Sequence, residues 1–189
     1  MANPLTTPTN LNILKKRFEY ISGASPHYEA SWYGPINKLA NAVFCDAQFM
    51  VKPQPRIRGE RPPNSQSSLD SYNIQVGVDG THDKIPDFII VKMRDDAGHP
   101  KDIPLLVIEV KKDDANLSAA KGQLRFYLNE MQKKGDADCR GILVVGSVMW
   151  NFLPTGRRAP HPQGLPHQIW PTLLAELEKS HTYGLTLQL

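Results

Sequence analysis

The chain predicts an α/β architecture, a central mixed β-sheet flanked by helices. Three observations carry this. The run Ile103 to Lys112 (IPLLVIEVKK) is apolar on both faces along its first half, as suits a central strand. After it, Leu117, Ala120, Leu124, Tyr127, Leu128 and Met131 recur at three- and four-residue steps, the period of an amphipathic helix. A further apolar run, Arg140 to Trp150 (RGILVVGSVMW), then reads as another strand. The resulting order is helix, strand, strand, strand, helix, strand.

From the N-terminus, Leu11, Ile13, Leu14, Phe18 and Ile21 place a short helix over Asn10–Ser22. Ser25-Pro26 reads as the next helix start, with Ser25 as N-cap and Pro26 at the first helical position. That helix is expected to run toward Phe49, kinked or split by Pro35. Val51 to Ser71 carries Pro53, Pro55, Pro62 and Pro63 with Arg56, Arg58 and Arg61, and reads as a loop. It is either a solvated connector or an arm that meets phosphates. Tyr72 to Val78 alternates like a strand, and Ile85 to Met93 (IPDFIIVKM) is the next one. Asp95-Asp96-Ala97-Gly98 is a turn signal. Asp114 or Asn116 can cap the amphipathic helix, and Gly135 can end it. Ala159 to Pro171 reads as a Pro/His/Gly loop, Thr172 to Ser180 as a short helix and Tyr183 to Leu189 as a final strand.

At 189 residues the chain suits one domain, 1–189. Its net charge of +3 permits a nucleic-acid partner without demanding one. Cys45 and Cys139 match neither a zinc spacing nor a secreted disulfide pattern, and read as buried reduced thiols. His161 and His167 match no zinc spacing either. Arg157-Arg158 reads as phosphate contact or as plain surface. No apolar run reaches the ~20 residues of a membrane span. With no leader-like N-terminus, the expected location is the cell interior, cytoplasmic or nuclear.

The chemistry is expected at the end of the central strand. Side chains alternate across a strand, so Leu105, Val107, Glu109 and Lys111 should share one face. If the preceding strand pairs through the turn near Asp96, the two are antiparallel, and Asp87 falls beside Glu109. Two carboxylates about 4 Å apart repel by roughly 4 kcal/mol at an effective dielectric near 20. Either one takes a proton or a cation sits between them. Oxygen ligands suit Mg²⁺ or Mn²⁺ better than zinc. Such an ion makes bound water more acidic and polarises a phosphate. Lys111 adds positive charge from the same side.

Pro86-Asp87 followed by Glu109-Val110-Lys111 resembles the PD-(D/E)XK nuclease superfamily, whose fold is the restriction-endonuclease-like α/β/α sandwich. The resemblance implies a Mg²⁺- or Mn²⁺-dependent nuclease. Asp87, Glu109 and the Val110 carbonyl would hold the metal, and Lys111 would be catalytic. Gln123-Leu-Arg-Phe-Tyr127 looks like the QxxxY element of exonuclease-type branches. Its Gln123 and Tyr127 lie four apart on one helix face. Many members add an acid on the first core helix, and Glu29 is the candidate here. DNA is the implied substrate, with RNA possible. A homodimer stays open, because folds of this kind often pair to cut both strands.

Each residue also has a plainer reading. Asp87 can punctuate a strand after Pro86. Glu109 and Lys111 can form a surface ion pair. Tyr127 belongs to the apolar stripe of its helix. Glu29 can serve the helix dipole. A catalytically inactive nuclease-fold module, binding nucleic acid or protein, is the competing function.

Overall fold

The computed structural model describes residues 8–24, 28–54, 86–96, 99–100, 102–133, 138–155 and 158–187. Two helices come first, α1 (Pro8–Gly23) and α2 (Glu29–Val43). The strands β1 (Phe49–Pro53), β2 (Phe88–Lys92), β3 (Asp95–Asp96), β4 (His99–Pro100) and β5 (Ile103–Lys111) follow, then α3 (Leu117–Lys133). The chain continues through β6 (Arg140–Val145), β7 (Val148–Thr155), β8 (Arg158–Gln168) and α4 (Ile169–Thr186).

Six strands form one sheet in the order β1-β2-β5-β6-β7-β8, and β3 pairs with β4 in a separate hairpin. The β5–β6 pair is parallel and its neighbours are antiparallel, so the sheet is mixed. A parallel pair needs a long crossover, and α3 makes this one. The alternation along the strands splits the core in two. Ile90, Leu106, Ile108, Val110, Ile142 and Val144 pack with buried residues of α1, α2 and α4. Ile89, Val91, Val107, Leu143 and Val145 pack with Leu124, Tyr127 and Leu128 of α3. The result is an α/β/α sandwich, with three helices on one face and one on the other.

Several expectations change. Leu105 does not share a face with Val107. Ile90 pairs with Leu106 and Val91 with Pro104, so Leu105 is the extra residue of a β-bulge. The bulge turns Leu105 into the other core, beside α4. The second helix starts at Glu29 and ends at Val43, well before Phe49, and it runs through Pro35 without splitting. Ser25 and Pro26 lie outside the described residues, as do the Tyr72–Val78 strand, Gly135, Arg157 and the arginines of the expected arm. Phe49 to Pro53 is a strand rather than helix end and loop. Among the described residues it pairs only with β2, at the edge of the sheet, where Pro53 is tolerated.

Arg140 to Trp150 is two strands, because Gly146-Ser147 makes a hairpin in which Val145 pairs with Val148. Gly146 has a φ of 55°, a conformation natural to glycine at the first position of such a turn. Ala159 to Pro171 is not a loop. Most of it belongs to β8, which among the described residues pairs only with β7 at the edge of the sheet, and edges accept proline. The expected short helix and final strand form one helix, α4, which runs to Thr186. Cys139 is buried but Cys45 is exposed, just past the end of α2. Lys112 is a solvated charge paired with Asp114 at 3.0 Å. Of the two possible caps, Asn116 acts, its Oδ1 accepting the Ala119 N–H at 3.0 Å.

Candidate active site

The site forms where β2 begins and β5 ends. Phe88 pairs with Ile108 in the antiparallel ladder, so Asp87, one residue earlier, stands opposite Glu109. Asp87 is fixed by two donors. Its Oδ2 accepts the Val110 backbone N–H at 2.6 Å. Its Oδ1 accepts the Tyr33 hydroxyl proton at 2.6 Å. The Asp87 carbonyl in turn accepts the Gln54 N–H at 2.7 Å, which ties the end of β1 to the start of β2.

Glu109 is 1% exposed and Asp87 7%. Glu109 Oε1 meets Lys111 Nζ at 2.5 Å, and the Lys111 side chain remains 22% exposed. Among the described residues, Glu109 Oε2 is buried with no hydrogen-bond partner. A buried, unsatisfied carboxylate oxygen is expensive to maintain and marks a place where a ligand is missing or a proton is held.

The electrostatics follow from this burial. Glu109 is pushed up to about 7, first by desolvation and then by the charge of Asp87, against the opposing pull of Lys111. Asp87 is also raised by burial, while the Tyr33 and Val110 hydrogen bonds and the Lys111 charge hold it down in part. Burial alone would lower Lys111. The Glu109 hydrogen bond and the charges of Glu109, Asp87 and Glu29 outweigh that, and its net shift is upward. Tyr33 is raised by burial and by its bond to Asp87, so its hydroxyl remains a donor.

Other predicted residues converge to different degrees. Glu29 lies in the first turn of α2, within electrostatic reach of Tyr33, Asp87 and Lys111. It does not close a three-acid cage: among the described residues no group of three or more His, Cys, Asp or Glu is placed to hold a metal ion. Gln123 Nε2 donates to the Tyr127 hydroxyl at 2.5 Å. Tyr127 is fully buried in the α3 core, as its plainer reading has it, yet it also feels the charges of Glu109 and Asp87. The Val110 side chain points into the opposite core. Its N–H faces Asp87, and in a strand the carbonyl of the same residue faces the same edge.

Tyr33, which donates to Asp87, is a residue of this cluster that the sequence did not single out. The signal was present, since Tyr33 follows Glu29 by four residues and shares its helix face.

Compared with known proteins, the chain matches no family model, no curated protein and no solved structure. Two buried carboxylates and a strand carbonyl would offer hard oxygen donors to an ion, and among the described residues one carboxylate oxygen is unpartnered. That set fits Mg²⁺ or Mn²⁺, which take oxygen ligands and keep several waters, better than a softer metal.

Proposed function

We propose that this chain is a Mg²⁺- or Mn²⁺-dependent nuclease of the PD-(D/E)XK type that hydrolyses phosphodiester bonds, with DNA as its substrate. The observation that carries the reading is the buried, unpartnered Glu109 Oε2, on a carboxyl whose other oxygen meets Lys111 and which feels the charge of Asp87. Asp87, Glu109 and the Val110 carbonyl would hold the cation. When bound, the cation supplies an acidified water and charge relief on the phosphate. Tyr33 and the Val110 N–H keep Asp87 oriented before any ligand arrives. Lys111, still partly exposed, offers its ammonium to the negative charge that grows on the phosphate oxygens. Tyr127, bonded to Gln123, stands near enough on the α3 side to feel the charges of Glu109 and Asp87.

The test is cleavage of plasmid and linear DNA with Mg²⁺ or Mn²⁺, beside Asp87→Ala and Lys111→Ala. The wild-type chain is expected to cut. Each variant should lose at least about a hundredfold, the scale of removing one preorganised charge-stabilising group. Cleavage that survives in both variants, or that fails with both metals, would overturn the reading.

One observation favours a second function, a nuclease-fold module that binds nucleic acid or protein without cutting. Lys111 is already paired with Glu109, so the two charges satisfy each other. Salt-dependent DNA binding with no metal-dependent cleavage is the outcome that would support it.

A further inference from the structure

A cleft of about 280 Å³ opens beside Asp87, away from α3. It is lined by Asp87 and Phe88 at the start of β2, by Tyr33, Gly34 and Asn37 on α2, and by Gln54 just past β1. Asp87 thus borders both the carboxylate site and the cleft. Pockets for drug-sized ligands run from roughly 300 to 1,000 Å³. This one is smaller, and suits a single nucleoside. Its walls are of two kinds. The Tyr33 and Phe88 rings meet edge to face at 5.8 Å and supply an apolar side. Asn37 and Gln54 supply amides, each with donor and acceptor groups that complement base edges. Asn41 Nδ2 donates to Asn37 Oδ1 at 2.9 Å and orients that amide.

Gly34 is the second observation. It lies inside α2, where glycine is among the poorest helix formers. Among the described residues a Cβ built there meets nothing within 4 Å, so their packing does not require a glycine. Pro35 crowds the residue before it, which is a separate, backbone reason for glycine. The missing side chain nonetheless leaves the cleft open on its helix side.

We infer that this cleft is the subsite for the deoxynucleoside next to the scissile phosphate, with Asn37 and Gln54 contacting the base. The inference rests on the nuclease reading above. A nucleoside seated here would place its adjoining phosphate beside Asp87, and the cleft would set which base is accepted at that step.

The experiment compares wild type with Gly34→Leu, which fills the cleft, and with Gly34→Ala, which adds the same Cβ and the same crowding by Pro35 but little volume. Two quantities are measured for each: Mn²⁺ binding by calorimetry, and binding of a fluorescein-labelled mixed-sequence oligodeoxynucleotide by anisotropy in EDTA. Gly34→Leu should bind the oligonucleotide at least tenfold more weakly than Gly34→Ala while binding Mn²⁺ equally. Asn37→Leu should weaken the oligonucleotide in the same way, and it serves if Gly34→Leu does not fold. Equal oligonucleotide binding by the folded cleft variants and Gly34→Ala overturns the subsite while leaving the nuclease reading standing. A wild-type chain that binds Mn²⁺ but no oligonucleotide also overturns the subsite. A wild-type chain that binds neither removes the nuclease reading, and the subsite with it.

Discussion

Asp87 accepts two short hydrogen bonds from different elements, and that shapes what each residue near it can do. The Val110 N–H belongs to the sheet and cannot be removed by a side-chain change. The Tyr33 hydroxyl can. Hydrogen bonds to charged groups contribute roughly 1.5–3 kcal/mol. Tyr33→Phe keeps the ring against Phe88 and deletes only that donor. It should weaken Mn²⁺ binding by about tenfold, since each 1.4 kcal/mol is a factor of ten, and lower Tm by a few degrees because a buried carboxylate loses a donor. Calorimetric titration with Mn²⁺ checks this, and unaltered affinity would show that Asp87 does not depend on Tyr33. The other residues of the site were legible to different extents. Glu109 and Lys111 could be placed on one face because strand alternation is strict beyond the bulge. Asp87 could be placed only through an assumed hairpin pairing, which the β2–β5 ladder supplies. Tyr33 went unread because a tyrosine on an amphipathic helix looks like core until the element facing it is known.

Elements went wrong in the sequence where tertiary contacts override local preference. Tyr183 to Leu189 alternates like a strand, but Gly184 lets α4 lie close to the sheet. A Cβ on Gly184 would stand 2.7 Å from Phe49 Cε1 and 2.8 Å from Leu105 Cδ1. The bulge that exposes Leu105 to α4 and the glycine that receives it are therefore one packing device, and neither is visible alone. Gly184→Val should destabilise the chain by about 1–3 kcal/mol through overpacking, read as a lower midpoint in urea. The same helix end is held by a buried lysine. Lys92 Nζ donates to the Gly184 carbonyl at 2.9 Å and the Leu187 carbonyl at 2.6 Å, at the negative end of the helix. Lys92→Met leaves both carbonyls short of a donor and should destabilise by roughly 2–4 kcal/mol on the scale of charged hydrogen bonds. A midpoint equal to wild type would mean that water replaces the ammonium. By contrast, α3 was read well because its pattern is long and strongly periodic, and β8 was missed because three prolines in an edge strand resemble a loop.

For the whole molecule the two buried carboxyls are a source of instability. The layered α/β/α order could be anticipated from apolar periodicity. How the layers would bury two acids could not, since that depends on which strands become neighbours. Burial holds the Glu109 carboxyl at about 7 in the folded chain, against 4.5 when free. Between those values the folded state keeps a proton that the unfolded chain has released, so stability falls as pH rises through this window. The stabilising contribution is complete below about 4.5 and lost above about 7. Its size is on the order of 3 kcal/mol, because each tenfold gain in proton affinity on folding corresponds to about 1.4 kcal/mol. Asp87, raised in the same direction, adds to the slope. In EDTA the wild-type Tm should therefore drop from pH 5 to pH 8. Glu109→Gln, neutral at both, should flatten that drop and melt higher than wild type at pH 8. A cation that occupies the carboxylates must reverse the effect. Mg²⁺ at a hundred times its Kd stabilises a folded state by about 2.7 kcal/mol. Added at pH 8 it should raise the wild-type Tm and leave Glu109→Gln nearly unmoved. Scanning calorimetry across the two pH values, with and without Mg²⁺, separates the outcomes. A wild-type Tm that ignores both pH and Mg²⁺ would mean that the Glu109–Lys111 pair is already a satisfied structural contact.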